Sequence, residues 1–510
     1  MKFLSWWILL GGCVGATVNA GDWAQFGQAW SRNMASPERG LPGEFDPATG
    51  RNVKWSAELG GDGHGTPVVA GGRVYIGTNN EHPRDPAHVG DRGVMLCLDE
   101  ATGKLLWQLV VPKQEEDIYM DWPKTGMSSP VTVEGERVYV VDNRGALLCL
   151  DARGMANGND GPFLTEGAYY TPRGTNAPAT PHQVGPLDAD ILWKFDLKND
   201  PAVGIWPHDA IHCSPLILGQ HLYLNSGNGV DNTHKVIRRP QAPSLVVVDK
   251  RTGQLLAVDA EGMGADTFHC TWSSPAFGRV DGRDTIVFAG GNGILYGFDP
   301  LPADTQAGKG LVLKLKKRWQ FRFDPTATTD DPHPYLNNRA MGPANIYGMP
   351  VVLDGRVYAT GGGDWFWGKN AAWLKCFQPA GTGDLGTNAV VWSYDLGRHT
   401  MATPALDPAE GLVFSTDSQR VLHCTDAKTG AVVWTHELAG EIWASALVAD
   451  GKVYVGTRRG DFWIFAASRE KKVLQRVELG APTSATAVAA NGTLYVASAR
   501  RLFALQVNRQ

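Results

Sequence analysis

A chain of 510 residues with a formal charge of −5, from 47 Lys plus Arg against 52 Asp plus Glu, carries no basic stripe, which excludes a nucleic-acid partner held through its phosphates. Its 61 glycines, 18 tryptophans and many short Val/Ile/Leu/Tyr runs speak against a helical protein and for short strands joined by tight turns. Beyond the N-terminus no apolar run approaches the about 18 residues that a spanning helix needs, so no transmembrane span is expected.

Residues 1–20 read as a targeting segment: Lys2, the apolar run Phe3 to Leu10, then small residues ending Val18-Asn19-Ala20 before Gly21. The expectation is an exported protein, periplasmic or extracellular. Loss of Lys2 with the signal would take the charge from −5 to −6. An alternative reads Leu10-Gly11-Gly12-Cys13 as a lipobox, with the mature protein lipid-anchored through Cys13. Residues 21–51 read as an extended N-terminal segment.

From residue 52 to 510 one short phrase recurs. It opens on Ser/Thr-Pro, continues through a Val-Tyr pair and a hydrophobic run into Asp-x-x-Thr-Gly, and closes on Trp. Units start at Pro67, Pro130, Pro215, Pro275, Pro350, Pro404, Ala446 and Ala487. Each reads as four antiparallel strands, a to d, with the Asp-x-x-Thr-Gly turn joining c to d; there the Asp carboxylate accepts backbone N–H groups and Gly takes a positive φ. Asp99 to Trp107, Asp249 to Ala257 and Asp426 to Trp434 keep one interval, whereas units 2, 4 and 5 stretch it by insertions. The largest, Arg153 to Asp190, reads as a long surface loop. Cys97, Cys149, Cys376 and Cys424 share one slot in strand c and read as small buried hydrophobes.

The last unit ends on its strand c, Leu502 to Leu505, and a strand d without a unit of its own stands at Asn52 to Leu59. Joining the two closes a ring and removes its open edges. The predicted fold is therefore all-β: an eight-bladed β-propeller with tryptophan-docking repeats, closed by an N-terminal strand that completes the last blade, with seven blades as the alternative. The docking positions hold Trp55, Trp107, Trp193, Trp319, Trp392 and Trp434, with Ala257 and Gln475 as departures. This repeat resembles the pyrroloquinoline-quinone-type propeller repeat of quinoprotein dehydrogenases and of the propeller lipoprotein of the outer-membrane barrel-assembly machinery, across residues 22–510.

Strand parity puts all d–a and b–c loops on one rim. The long ones, including Asn79–Gly93, Lys198–His212, Gly227–Ser244, Asp259–Thr271, Asp324–Tyr347 and Gly362–Ala372, all belong to blades 1 to 5. On that rim the residues three before each Pro slot are His64, Met127, His212, Trp272, Tyr347, Met401, Trp443 and Ser484. The first seven are expected to ring the channel mouth, either plugging it or contacting a planar or sugar-like ligand. His208, Asp209, His212 and Cys213 precede strand a of blade 3, and His269-Cys270 precedes that of blade 4. Three readings stay open: convergent metal ligands, a Cys213–Cys270 disulfide, or ordinary polar loop residues, and no metal ligand is assigned. Acidic groups collect at Glu115-Glu116-Asp117 and Asp330-Asp331, where carboxylates could hold calcium. Asn157-Gly158-Asn159-Asp160-Gly161 resembles an EF-hand loop but lacks its spacing.

The resemblance implies two functions. A quinoprotein dehydrogenase would carry pyrroloquinoline quinone with calcium over a Trp floor, for which Trp272 is the positional candidate, and an Asp base, for which Asp209 and Asp331 are. The disulfide between adjacent cysteines found in such enzymes has no counterpart here, and no Cys-x-x-Cys-His haem motif occurs. The preferred reading is a non-catalytic scaffold that binds an envelope protein, peptide or carbohydrate on the decorated face of blades 1 to 5.

Overall fold

Eight sheets follow one another along the chain, each built on four antiparallel strands a to d, three of them with a fifth short strand paired in parallel at an edge. The computed structural model describes residues 21–173, 178–267, 269–306, 308, 311–327, 344–364, 366 and 369–508. Blade 1 is typical: Val68–Ala70, Arg73–Asn79, Arg92–Asp99 and Leu105–Pro112. In the eighth blade Val53–Glu58 pairs with Arg501–Leu505, with Ser56 opposite Phe503, so a segment next to the N-terminus supplies strand d. Among the described residues no helix is long and apolar enough to cross a membrane.

The recurring phrase has a packing reason. The Trp55 indole N–H donates to the Glu100 carbonyl at 2.9 Å, Trp107 to Ala152 at 2.9 Å, Trp392 to Ala427 at 3.1 Å and Trp434 to Ser468 at 2.9 Å. Each acceptor is the residue after the turn position of the next blade. Gly103, Gly253 and Gly430 of those turns have φ of +72°, +74° and +72°, and a Cβ on any of them would stand 2.5 to 2.6 Å from the Trp ring of the preceding blade. Trp and Thr-Gly are thus two halves of one inter-blade joint.

Both departures fall where that joint has no partner turn. Blade 8 has no c–d turn, because its strand d comes from the other end of the chain; Gln475 of blade 7 instead holds Phe45, accepting from its N–H at 2.9 Å and donating to its carbonyl at 2.7 Å. Beside Ala257 of blade 3, the c–d insertion of blade 4 takes the space: Leu313–Lys314 pairs in parallel with Ala257 and Val258.

The three c–d insertions share this behaviour. Gly383–Asp384 from blade 5 pairs in parallel with strand d of blade 4, and Asp188 from blade 2 bridges in parallel to Gln108 of blade 1. Each covers the exposed outer edge of the preceding blade. The segment Arg153 to Asp190 is therefore not the plain surface loop that its Gly, Asn and Pro content suggested. It carries a 3-10 turn, Gly154–Asn157, and a helical turn, Glu166–Tyr170, and it buries Tyr169, Tyr170 and Ala189 against blades 1 and 2.

The segment after Gly21 runs across the inner ends of all eight blades in order. Trp23 bridges Val69, Ala24 accepts from Val133, the Trp30 indole donates to Ile217 and the Trp30 carbonyl accepts from Phe277. Ser31 then meets Val352, Asn33 meets Leu406, Ala35–Ser36 pairs with Val448–Ala449, and Ser36 reaches Ala489. At its centre the buried Arg32 guanidinium donates to the carbonyls of Pro275, Phe26 and Ser214 at 2.7 to 2.9 Å. This segment stoppers the channel from the face opposite the long loops.

Candidate functional site: a blind funnel with a histidine centre

The Ser/Thr of the repeat's opening phrase forms a belt around the channel. Ser214 N–H donates to Ser274 Oγ, Met349 N–H to Thr403 Oγ1, Thr403 N–H to Ser445 Oγ, Ser445 N–H to Thr486 Oγ1 and Thr486 N–H to Thr66 Oγ1, at 2.9 to 3.2 Å. Above this belt lies a cavity of about 410 Å³, with Phe26 of the N-terminal stopper among its lining residues. That volume falls in the range of small-ligand pockets.

Of the residues three before each Pro slot, His64, His212, Trp272, Tyr347, Met401, Trp443 and Ser484 line this cavity. Met127 does not. Its N–H is tied to the Thr78 carbonyl and its side chain is buried in the apolar core between blades 1 and 2, leaving Thr125 and Ser128 to face the cavity. Two aromatic groups stand on the wall. Trp443 is stacked on His64 at 5.7 Å and capped by the Arg458 guanidinium at 3.7 Å, while Trp272 packs on Tyr347 at 5.0 Å and on His212 at 4.9 Å. Burial pushes His64 down to about 4 and His212 down to about 3, so both imidazoles are neutral near pH 7.

Beside Trp272 four buried side chains converge. Ligand atoms of His208, Asp209, His234 and His269 all lie within 4.8 Å of one another. They come from three loops of the decorated rim: the connection into blade 3, the b–c loop of blade 3 and the connection into blade 4. Gly229 makes the approach possible, since a Cβ there would stand 2.7 Å from His208 Cβ and 2.6 Å from the His269 carbonyl oxygen. Val230 N–H donates to that same carbonyl at 2.9 Å. Left-handed backbone at non-glycine residues gathers here: Asp209 has φ +62°, Ala210 +132° and His234 +56°. Such conformations cost energy and persist where surrounding structure holds a site in place.

His269 is the hub. Its Nε2 lies 3.1 Å from Asp209 Oδ2, and its Nδ1 lies 3.2 Å from Asp364 Oδ2 and 3.1 Å from the Tyr347 hydroxyl, which itself donates to Asp364 at 2.7 Å. Burial alone would push His269 down, but the Asp364 carboxylate and the Asp209 hydrogen bond carry it up to about 9. His208 is the opposite case. It is wholly buried, its Nε2 approaches Asp209 Oδ2 at 3.5 Å without making a hydrogen bond, and burial with the neighbouring His269 pushes it down to about 3. His234 stacks on Phe366 at 3.9 Å and meets His208 edge-on at 4.5 Å.

The sequence singled out His208, Asp209 and His269 but missed His234 and Asp364. His234 stands alone in the b–c loop of blade 3 and Asp364 ends strand b of blade 5, and the usable signal was that these b–c connections share the rim with the other two. Cys213 and Cys270 are both buried and unbonded, so the disulfide alternative is not formed. The acidic run Glu115-Glu116-Asp117 is absorbed by structural pairing, Glu116 with Lys198 and Asp117 with the N–H groups of Tyr119 and Asn232. Asp330, Asp331 and His333 lie outside the described residues.

A family model described as "Outer membrane protein assembly factor BamB" matches residues 91–156 and 380–508. No curated protein matches the sequence. Among solved structures, a europium-containing methanol dehydrogenase superposes with a TM-score of 0.60 at 13% identity, covering 94% of this chain and 89% of that one. A quinohemoprotein alcohol dehydrogenase from Pseudomonas putida HK5 gives 0.54 at 13%, covering 96% and 81%. BamB from Moraxella catarrhalis gives 0.48 at 14%, covering 90% and 98%. Identities this low speak to fold. The chain is a propeller whose repeats are similar to the pyrroloquinoline-quinone-like, BamB type over residues 91–156 and 380–508.

Among the described residues the histidine centre of the funnel does not suit a calcium ion beside a quinone. Calcium takes oxygen ligands, whereas three of the four convergent donors here are imidazoles. Arg458 is the only Lys or Arg among the described lining residues that could meet the acidic groups of such a cofactor.

Proposed function

We propose that this pyrroloquinoline-quinone-like propeller is a binding protein whose blind funnel takes a planar or sugar-like ligand beside a divalent metal held by His208, His234, His269 and Asp209. The observation that carries the reading is His208, a buried imidazole that makes no hydrogen bond, its Nε2 3.5 Å from Asp209 Oδ2, facing two other imidazoles and that carboxylate. A buried polar group without a partner costs about 1–3 kcal/mol, and a metal ion at this point would use the lone pair otherwise wasted. The Asp364–His269 contact supports the same reading: a carboxylate on Nδ1 would keep the ring proton there when a metal took the place of the proton between Nε2 and Asp209. A set of three nitrogens and one oxygen suits zinc or another late first-row ion.

Such an ion would draw donors now within 4.8 Å of one another inward, by up to about 1.4 Å for the widest pair, since tetrahedral ligands at about 2.0–2.2 Å stand about 3.4 Å apart. It would act as a Lewis acid toward a ligand oxygen entering from the funnel. Trp272, Tyr347, Trp443 and Phe366 supply the apolar faces on which a ring can lie. A carbohydrate or a peptide side chain at the mouth fits this wall, and an envelope protein presenting either is the partner of this reading. The quinoprotein dehydrogenase alternative would need oxygen donors at this point, and among the described residues three of the four convergent side chains are imidazoles.

Cobalt(II) titration of the chelator-treated protein tests the proposal. The expected result is about one equivalent bound, with the intense visible bands of a nitrogen-rich low-coordinate site, and affinity lowered about 100-fold or more in His208→Ala. No stoichiometric uptake by the wild type, or unchanged uptake by His208→Ala, overturns it. Export belongs to the same proposal. A mature protein starting at Gly21 supports the signal reading, and an acylated Cys13 supports the lipoprotein alternative.

A further inference from the structure

We infer a second, independent cation site, for calcium, between the blade 2 insertion and the body of that blade, formed by Asp151, Asp160, Asp190 and Glu166. Carboxylate oxygens of Asp151, Asp160 and Asp190 lie within 4.8 Å of one another. Oxygens that share a calcium ion at about 2.3–2.6 Å stand at most about 5 Å apart, so this cluster already has the required span. Asp190 is wholly buried with Oδ1 unpartnered, while its Oδ2 accepts from the Asp160 N–H at 3.0 Å.

Glu166 is the separate observation that points to a ligand. It opens the short helical turn, is 1% exposed and leaves Oε1 without a partner, while Oε2 accepts from the Asn159 side chain at 2.9 Å. Its charge also reaches Asp190: burial, then the charges of Glu166, Asp151 and Asp160, push that carboxyl up to about 6. Among the described residues no Lys or Arg pairs with any of these four. The nearby Arg153 is taken by Glu136 and Lys194 by Asp196. Asp190 and Glu166 are buried carboxylates without a cation, which is costly, and one hard divalent ion would answer both, with the half-buried Asp151 and exposed Asp160, now bridged by the Asn157 amide, completing its donors. An all-oxygen donor set selects calcium over the ions that suit the histidine centre.

The Asn157 to Gly161 segment falls inside this cluster. Its chain spacing is not that of an EF-hand because Asp190 and Glu166 arrive from later in the insertion. The site ties the end of strand c, the insertion and the start of strand d together at one point. The calcium bound there would hold in place the insertion whose residues 187–189 cover the edge of blade 1.

Terbium luminescence sensitised by Tyr170 and Trp193, with calcium as competitor, tests the inference. The wild type is expected to bind one terbium that calcium displaces, and 1 mM calcium should slow tryptic cleavage after the exposed Arg173 about tenfold. Asp190→Asn and Glu166→Gln should lose the signal, and the exposed Asp160→Ala, which cannot disturb a core, should weaken it at least tenfold. Asp209→Asn in the funnel should leave it unchanged. Absence of wild-type binding, retention of full binding by Asp160→Ala and Glu166→Gln, or loss of the signal in Asp209→Asn overturns the inference.

Discussion

Replacing Gly430 with Ala tests the inter-blade joint directly. Gly430 has φ +72°, and a Cβ would stand 2.6 Å from Cδ2 and Cε3 of Trp392. The left-handed backbone costs a side-chain residue about 1–2 kcal/mol. Displacing the indole adds an overpacking penalty of about 1–3 kcal/mol and endangers the Trp392 to Ala427 hydrogen bond, worth about 1 kcal/mol. A total of about 3–6 kcal/mol is expected. Gly411 of the same blade is the control, with φ +64° but nothing within 4 Å of its Cβ position, so Gly411→Ala should cost only the backbone share of about 1–2 kcal/mol. Urea unfolding followed by circular dichroism, with unchanged slopes, measures both. In a Trp392→Ala background the Gly430→Ala penalty should fall to that of Gly411→Ala. Equal costs for the two glycines, or a penalty that survives removal of Trp392, would refute the joint.

Two further outcomes are expected. Gln475→Ala removes both hydrogen bonds to the Phe45 backbone and should cost about 1–3 kcal/mol while speeding proteolysis within residues 39–51, and Gln475→Trp should not stabilise, because no Thr-Gly turn faces it. Arg32→Met keeps volume but strands the carbonyls of Pro275, Phe26 and Ser214; a loss of about 3 kcal/mol or more with faster amide exchange at Phe26 is expected, against under about 0.5 kcal/mol for Arg51→Met at the exposed Arg51–Glu44 pair.

Much of this could be read from the chain because the repeat is local. The Ser/Thr-Pro opening, the Val-Tyr strand and the Asp-x-x-Thr-Gly turn each act within one blade or on its neighbour, so periodicity exposes them. The closing strand at Trp55 was legible for the same reason, as a strand d missing its blade. Met127 shows the limit: its slot is shared by residues that face the cavity, yet one hydrogen bond to Thr78 turns it into the core. The insertions misled through composition, since Gly, Pro and Asn describe the loop around Tyr169 and Tyr170 but not the edge it covers.

What the sequence determined by itself is the ring, its eight members and the face that carries the long loops, because repeated near-neighbour contacts leave a periodic trace. What only the tertiary structure decided is which residues of non-repeating loops meet. His208, His234 and His269, like Asp151, Glu166 and Asp190, become neighbours through the closure of different loops onto one point, and a meeting of that kind occurs once and has no period to reveal it.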